Sequence, residues 1–479
     1  MSIAQPKTPP GMYFEQWGIT PELRAKIMRE ALSKGGEDCD LYFQHSASTS
    51  LQLTDQKVNH ASTNVDLGMG VRVIVGDQVG YSYSEDLSAQ ALLKAARTAA
   101  AIASGATTRK VAPERVGQIP QYYHNEKPWD QQDMQTRVNM IRSWEQGAFS
   151  LDARVRRVSC YLVDGTSVIM IVRPDGRVFE DWKPTTRGFV RCTVEENGIV
   201  ESNSYNVAAR AGLEFYHPER QHRLYKEAVE RSVFQLHAGK PPAGEMPVVL
   251  AAGPSAILLH EAIGHGMEAD FNRKNVSIFS SKMNKKIASE EVTIVDDGTI
   301  RGSRGAINID DEGNESQRTV LVEKGVLRSY IHDEISAKHF NVSPTGSGRR
   351  QSFRHAPLPR MRATIMENGP HTADEIISSV KNGIYCISFA NGQVHIGGGD
   401  FAFYVKHGYL IEDGKLTKPI KDVNIIGNGP QALADMDMVG NDMTIDEGGW
   451  TCGKDGQGVP VSQGMPTVRV SSLTVGGVS

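Results

Sequence analysis

Two histidines and a glutamate lie within six residues, in the stretch His260-Glu261-Ala262-Ile263-Gly264-His265. Imidazole nitrogens are common zinc ligands, and a carboxylate beside them can take a proton from water held by the metal. In zinc-protease helices of the His-Glu-x-x-His type, the two histidines lie about 40° apart around the helix. The spacing here is one residue longer, and a regular α-helix would separate the rings by roughly 140°. The stretch therefore predicts either a distorted zinc-binding helix or two ordinary helix residues with Glu261 facing solvent.

Gly264, immediately before the second histidine, favours distortion. One extra residue fits into a helical turn as a π-bulge, and such bulges concentrate at functional sites. A third ligand has to come from another part of the chain, and Thr451-Cys452-Gly453-Lys454 offers a cysteine in what we predict to be a glycine-rich turn. Three protein ligands leave a catalytic zinc one open position.

Six ordered blocks of sequence carry a family resemblance. They read His-Glu-Ala-Ile-Gly-His-Gly (260–266), Asp-Phe-Asn-Arg-Lys (270–274), Val-Asp-Asp-Gly-Thr (295–299), Gly-Arg-Arg (348–350) running to Pro-Leu-Pro-Arg-Met (357–361), Ile-Gly-Asn-Gly-Pro (426–430) and Cys-Gly-Lys (452–454). Together they resemble the TldD/PmbA family of metalloproteases, also called modulators of DNA gyrase, over nearly the whole chain. PmbA-type subunits lack the His-Glu-x-x-x-His motif, so its presence points to the catalytic, TldD-type subunit.

The resemblance implies a zinc-dependent peptidase that hydrolyses unfolded or small peptides. His260, His265 and Cys452 would hold Zn²⁺, and Glu261 would act as general base and then pass the proton to the leaving amine. The family encloses its metal in the cavity of a dimer, either a heterodimer with a PmbA-type subunit or a homodimer. The alternative for the ligands is a structural zinc, which normally takes a fourth protein ligand and would leave Glu261 without a task.

The sequence patterns of the helices and strands that must position the motif residues predict an α+β protein of three parts. Residues 1–112 form an N-terminal α+β domain whose leading arm contains Thr8-Pro9-Pro10-Gly11, and residues 113–240 form a central β-rich segment. Helices are expected after Thr20, from Ser88 to Ala103, around 130–150 and over 218–237. Residues 241–479 form the C-terminal metalloprotease domain, in which a short strand at 247–251 leads into the motif helix. The resemblance implies that this last domain is largely β and barrel-like.

A second cluster of chemically capable residues follows Gly348. Arg349, Arg350, Arg354 and His355 could bind a peptide carboxylate or stabilise the oxyanion, because guanidinium groups pair bidentately with carboxylates. A solvated basic turn or a subunit interface explains the same residues equally well. Glu268 and Asp270, just past the motif, could accept a hydrogen bond from a ligand imidazole, or could be exposed charges at a helix end.

Composition limits the remaining classes of function. The chain of 479 residues has a net charge of −4 and no basic stripe, which disfavours nucleic-acid binding. Its five cysteines include no CxxC pair, and this favours a reducing compartment. The N-terminus shows no secretory signal, and no apolar run approaches eighteen residues. We expect a cytoplasmic protein that is not inserted in a membrane.

Two further interpretations remain open at the level of sequence. One is a zinc-binding regulatory or scaffold subunit that is active only with a PmbA-type partner. The other is a gyrase-associated or nucleic-acid-associated factor, as the older family name suggests. The sequence does not indicate the physiological substrate or the cleavage preference.

Overall fold

The computed structural model describes residues 12–123, 125–395 and 398–477, so the predicted leading arm at residues 8–11 lies outside the described residues. In the first half of the chain the helices are α1 (Pro21–Ala31), α2 (Ala89–Ile102), α3 (Met134–Leu151) and α4 (Pro218–His237). The strands are β1 (Asp38–Thr54), β2 (Lys57–Val75), β3 (Gln78–Ser84), β4 (Arg115–Val116), β5 (Val155–Val172), β6 (Arg177–Glu196) and β7 (Ile199–Ala209).

The predicted helix starts are confirmed by side-chain caps. The hydroxyl of Thr20 accepts a hydrogen bond from the backbone N–H of Leu23, and that of Ser88 accepts one from Ala91. Such caps satisfy an amide that the first turn of a helix would otherwise leave unpaired.

These strands form one seven-stranded sheet in the order β3-β2-β1-β5-β6-β4, with β7 also paired to β6. The central contact is the antiparallel pairing of β1 with β5, which runs from Leu41 opposite Val172 to Thr54 opposite Ser159. Strands from both sides of the predicted boundary at residues 112 and 113 therefore share a sheet. The division of residues 1–240 into two domains stays a prediction.

The sheet has two different faces because side chains alternate along a strand. On one face Leu41 and Phe43 join the core beneath α1 and α2, and further along the same strand Leu51 and Leu53 join the core beneath α3 and α4. On the other face Tyr42 packs with residues from the C-terminal half of the chain. Helices thus cover one face, and the part of the chain that carries the motif covers the other.

The second half of the chain is mostly strand. Its strands are β8 (Gly244–Leu250), β9 (Ile294–Asp297), β10 (Arg318–Glu323), β11 (Val326–Leu327), β12 (Gly348–Arg349), β13 (Leu358–Pro359), β14 (Ala363–Met366), β15 (Asn382–Val394), β16 (Asp400–Glu412), β17 (Lys415–Ile420), β18 (Val423–Asn428), β19 (Met436–Val439), β20 (Thr444–Asp446), β21 (Thr451–Lys454), β22 (Gln457–Pro460), β23 (Ser462–Met465) and β24 (Val468–Gly477). Its helices are α5 (Ile257–Leu259), α6 (Ala269–Arg273), α7 (Glu334–Phe340), α8 (Ala373–Ser378) and α9 (Gly429–Ala434).

A closed barrel of five strands forms the centre of this half. The order β15-β8-β24-β18-β16 is closed by direct pairing of β15 with β16, while β17 and β19 extend it at the side. A separate six-stranded sheet has the order β11-β10-β9-β14-β23-β20. The predicted α+β class and the barrel-like C-terminal domain are both confirmed. Among the described residues, no helix is long and apolar enough to cross a membrane.

A buried network of ion pairs joins the first sheet to the C-terminal half. Arg350 donates to Asp40 at 2.7 Å, and Arg72 donates both to Asp40 and, at 2.6 Å, to Glu312. All four side chains are fully shielded from solvent. Burial alone would raise the pKa of Asp40, but Arg72 and Arg350 lower it to about 2.

Candidate metal centre

The histidine motif lies on a helical segment that changes geometry at its first histidine. Strand β8 leads through a 3-10 turn (Pro254–Ala256) into α5, and the next turn, His260–Gly264, is a π-helix. The backbone N–H of His265 donates to the carbonyl of His260, five residues back. The two imidazole rings consequently lie on the same side, with their centroids 5.2 Å apart. The predicted π distortion is confirmed.

Close packing leaves little room around this π turn. A Cβ on Gly264 would lie 2.1 Å from Sδ of Met361, so the residue before the second histidine has to be very small. A Cβ on Gly429, the first residue of α9, would lie 2.2 Å from the carbonyl oxygen of Ala262. The turn is therefore held between Met361 on one side and α9 on the other.

Cys452 reaches the motif from the end of the chain. It lies on β21, in a hairpin with β22, where it pairs with Val459. The prediction that it occupies a turn is wrong, because the turn is at Asp455 and Gly456, whose φ angles of 50° and 72° suit a tight hairpin. A guanidinium nitrogen of Arg360 donates to the carbonyl of Cys452 at 2.6 Å. The cysteine is thus presented by a hairpin strand whose backbone is also held by Arg360.

The three predicted ligands converge. His260, His265 and Cys452 are buried, and each offers a ligand atom within 4.8 Å of the others. The Sγ of Cys452 lies 3.5 Å from Nε2 of His265. Zinc bond lengths place tetrahedral nitrogen and sulfur ligands roughly 3.3–3.6 Å apart, so this pair already has the required spacing. Both ring nitrogens of His260 are buried and have no hydrogen-bond partner. An unpartnered imidazole of this kind fits a metal ligand, and the set of two nitrogens and one thiol suits zinc.

The carboxylate of Glu268 orients one of the histidines. Its Oε2 lies 3.0 Å from Nδ1 of His265 and 3.1 Å from Nζ of Lys454. Because the carboxylate of Glu268 accepts a hydrogen bond from Nδ1 of His265, the other ring nitrogen, Nε2, is free to face Cys452 and the metal position. Asp270 accepts from Lys454 at 2.7 Å and, in the described part of the chain, forms no hydrogen bond or ion pair with a histidine. Of the two acidic residues after the motif, Glu268 therefore takes the orienting position.

The charges at this site support one another. Burial alone would raise the pKa of Glu268, but Lys454 and His265 lower it to about 2. Burial opposes protonation of His265, yet Glu268 and Cys452 raise its pKa well above the usual value. Burial would also raise the pKa of Cys452, whereas His260 and His265 lower it to about 5. The thiol is thus already disposed to be the thiolate that a metal requires.

Glu261 lies on the open side of the three ligands. About 27% of its side chain is exposed, and its Oε2 lies 4.0 Å from Nε2 of His265. In contrast, the side chain of Glu268 is wholly buried. A carboxylate with this access can exchange protons with water beside the ligands, which is the geometric requirement for a general base.

The residues predicted to bind substrate do not form one surface. Arg349 lies beside the cysteine hairpin and donates to the carbonyls of Met361 and Pro460, the latter at 2.7 Å. Arg350 belongs to the buried network with Asp40 described above. Its full burial gives no support to a direct contact between Arg350 and a substrate.

The other two members of that cluster lie further along the chain, beside the first sheet. Arg354 forms ion pairs with Asp66 and Glu85, both at 2.9 Å. His355 contacts the hydroxyl of Ser352 at 3.1 Å. The role of all four residues in binding substrate stays a prediction.

Sequence reasoning missed the two cations that hold Glu268 and the hairpin in place. Lys454 is two residues beyond Cys452, so in a strand both side chains point to the same face. That relation is visible in the sequence once the segment is interpreted as a strand. Arg360 lies 92 residues from Cys452, and no local pattern indicates that they meet.

Comparison with known proteins gives consistent results over most of the chain. The family model of the PmbA/TldA metallopeptidase C-terminal domain matches residues 243–477, and that of PmbA/TldA metallopeptidase domain 1 matches residues 39–103. A metalloprotease TldD homolog of Haemophilus influenzae is 38% identical over 92% of this chain and 93% of its own. A zinc metalloprotease TldD homolog of Saccharolobus solfataricus is 34% identical over 52% of this chain and 55% of its own.

Solved structures show the same fold. A proposed modulator of DNA gyrase from Thermotoga maritima aligns over 95% of this chain and 99% of its own, with a TM-score of 0.78 at 18% identity. TldE from Thermococcus kodakarensis aligns over 95% of this chain and 100% of its own, with a TM-score of 0.75 at 16% identity.

Proposed function

Because this chain belongs to the PmbA/TldD metallopeptidase family, on its TldD branch, we propose that it is a zinc-dependent peptidase that hydrolyses unfolded or small peptides. One observation carries the choice of metal and reaction. Two imidazoles and a thiol converge within 4.8 Å, and a partly exposed carboxylate stands beside them.

In this proposal His260, His265 and Cys452 hold the metal, and Glu268 fixes the ring of His265. Bound zinc supplies a Lewis acid that acidifies water and polarises the scissile carbonyl. Glu261 removes the proton from the attacking water and delivers it to the leaving amine. The relative from Saccharolobus solfataricus that is named a zinc metalloprotease supports this choice of metal.

A catalytic zinc explains the arrangement better than a structural one. Structural sites normally close with four protein ligands, whereas the group of potential ligands among the described residues has three members. The position of Glu261 gives a second reason. A closed site has no use for a partly exposed carboxylate 4.0 Å from a ligand ring.

We further propose that the protein works as a dimer with an enclosed cavity, formed with a PmbA-type subunit or with a second copy of this chain. The structural likeness to TldE supports an assembly of this kind. The proposed location is the cytoplasm. All five cysteines are free in the structure, as expected of a protein kept in a reducing compartment.

The test combines zinc content with hydrolysis of a flexible peptide, for wild type and for Glu261→Gln, each alone and with a PmbA-type subunit. We expect both proteins to bind about one zinc and only wild type to cut. Glu290→Gln is the matched control, because Glu290 is an exposed glutamate whose ion pair, among the described residues, is with Lys286. It should retain full activity.

Two outcomes would overturn the proposal. One is a zinc-loaded wild type that cuts nothing with or without the partner. The other is a Glu261→Gln variant that cuts at the wild-type rate. The first would favour a zinc-binding scaffold, and the second would remove the proposed base from the reaction.

A further inference from the structure

Two neighbouring cavities lie between the first sheet and the C-terminal half, next to the cysteine hairpin. Their volumes are about 490 and 390 Å³, and both are lined by Asp446. Arg304 lines the first, while Arg187 and Trp450 line the second. Trp450, in the lining of the second cavity, is two residues before Cys452, so this cavity adjoins the hairpin that carries the cysteine.

Four arginines near these cavities lack an acidic partner. Among the described residues, Arg187, Arg210, Arg304 and Arg349 form no ion pair. Arg210 and Arg349 are only 7% and 3% exposed. Every other arginine that is buried in the described part of the chain lies within 4.0 Å of a carboxylate, in the pairs Arg24–Glu114, Arg72–Asp40, Arg137–Asp164, Arg173–Asp38, Arg350–Asp40, Arg360–Glu268 and Arg362–Asp296.

The contacts that these arginines do make are with neutral groups. Arg304 donates through Nε to the carbonyl of Trp450 at 3.0 Å, and Arg349 donates to the carbonyl of Pro460 at 2.7 Å. Pro460 lies opposite Thr451 in the hairpin, and Arg304 also lies 3.4 Å from the hydroxyl of Thr451, so both guanidinium groups contact the hairpin next to Cys452.

The two other arginines complete the cluster. Arg187 lies 3.3 Å from the side-chain oxygen of Asn206, which also accepts from the backbone of Gly449. The Nε of Arg210 is buried and has no hydrogen-bond partner, and its guanidinium lies 6.0 Å from the ring centroid of Tyr123. A buried guanidinium without a carboxylate in contact is costly, and this donor is left unsatisfied.

The arginines are close enough to repel one another. Burial, followed by the charges of Arg210 and Arg187, lowers the pKa of Arg304 to about 9. Burial and the charge of Arg210 lower the pKa of Arg349 to about 10. A bound anion would relieve this repulsion.

Three acidic residues that line the first cavity are engaged with other groups, and Glu214 among them accepts from the backbone N–H groups of Lys127 and Gly212. Asp446 accepts from its own loop, at the indole N–H of Trp450 and the backbone N–H of Gly448. Glu447 pairs with Arg220 and Arg223 instead. Among the described residues, no carboxylate oxygen therefore lies within 4.0 Å of these four guanidinium groups, although the charges of Asp181 and Asp311 act on Arg210 and Arg349 from further away.

We propose that Arg187, Arg210, Arg304 and Arg349 form an anion subsite that receives a carboxylate of the peptide substrate and places the neighbouring peptide bond at the metal centre. Guanidinium groups favour carboxylates because they donate two parallel hydrogen bonds. The carboxylate comes either from the peptide's C-terminus or from an aspartate or glutamate side chain. The class of ligand rests on the peptidase function proposed above.

The test uses the zinc-loaded protein, with its partner subunit if activity requires one. The substrates are one peptide in four forms, with glutamate or glutamine at one chosen position and with a free or an amidated C-terminus. Wild type should prefer the forms with the critical carboxylate by about tenfold to a hundredfold in kcat/KM. If amidation abolishes the preference, the bound carboxylate is the C-terminus of the peptide. If the exchange of glutamate for glutamine abolishes it, the bound carboxylate is a side chain.

Arg304 is the residue to change, because it is only half-buried and its replacement should not prevent folding. Arg304→Gln should bring the preference close to one, and Arg304→Lys should retain an intermediate preference because it keeps the charge. The control is Arg223→Gln, an exposed arginine of the same region that is paired with Glu447. It should leave the preference unchanged, and zinc content and melting temperature should be equal in all variants.

Binding to zinc-loaded Glu261→Gln separates this subsite from the peptidase function. The same four peptides should show the same order of Kd values in this variant, even if wild type fails to cut them. Equal Kd values for all four forms would overturn the subsite, and so would an Arg304→Gln variant that keeps the full preference. Absence of cutting together with a normal binding preference would instead count against the peptidase function.

Discussion

Replacing Glu268 by glutamine tests whether this carboxylate tunes the metal centre. The change keeps the shape of the side chain and an oxygen that can accept from Nδ1 of His265, now at 3.0 Å from Oε2. It removes the negative charge from a side chain that is wholly buried. The other carboxylate oxygen accepts no hydrogen bond and lies 4.0 Å from Nε of Arg360, so an amide nitrogen there breaks no hydrogen bond but ends the ion pair with Arg360.

We expect zinc affinity to fall by about tenfold to a hundredfold, the usual effect of losing a carboxylate behind a ligand histidine. In free energy this is about 1.4–2.7 kcal/mol. The physical reason is that the negative charge of Glu268 raises the basicity of His265, whereas a neutral amide raises that basicity less. Competition with a chromophoric chelator measures the affinity directly. Urea unfolding of the metal-free proteins shows whether the fold itself has changed.

Asp270→Asn is the matched control. Asp270 accepts from the same Lys454, at 2.7 Å, but contacts no histidine. Its replacement should leave zinc affinity within about twofold of wild type. The reasoning fails if Glu268→Gln binds zinc as tightly as wild type. It also fails if Asp270→Asn weakens binding equally, since the effect would then come from Lys454.

Two predictions concern the network that joins the two halves of the molecule. Arg350→Ala should lower the free energy of urea unfolding by about 3–5 kcal/mol, because it leaves Asp40 buried with one cation fewer. Arg354→Ala removes a partly exposed ion pair and should lower it by about 1 kcal/mol or less. Equal losses in the two variants would refute the distinction between buried and exposed pairs. The second concerns pH. Because the pKa of Asp40 is lowered to about 2, its contribution is fully present above the unfolded value near 4 and is lost as the pH falls toward 2. The difference in unfolding free energy between wild type and Asp40→Asn should therefore be about 2 kcal/mol larger at pH 6 than at pH 2, and a difference that does not change with pH would contradict the assignment.

Local signals in the sequence determined much of the framework. The capping residues Thr20 and Ser88 mark helix starts because their hydroxyls satisfy amides a few residues away. The spacing of His260 and His265 also carried structural information. Two histidines five residues apart can share an ion only if the helix is distorted, and the π turn before His265 confirms it.

Other features depended on which segments meet in space. The continuous sheet follows from the pairing of β1 with β5, which are more than a hundred residues apart. The sequence of residues in either strand does not indicate which other strand it pairs with. The arginine cluster after Gly348 is a similar case. Arg350 and Arg354 are the same residue type, four positions apart. Arg350 is nevertheless buried against Asp40, whereas Arg354 lies near the surface.

The sequence by itself determined which chemical groups this protein brings to a metal and that its motif helix would have to be distorted. Only the tertiary structure decided how close Cys452 comes to His265 across 187 residues, and which carboxylate orients that ring. It also decided which arginines form no ion pair among the described residues. The physical reason is that residue types and short spacings fix local geometry, whereas burial and pairing of charges depend on contacts between distant segments.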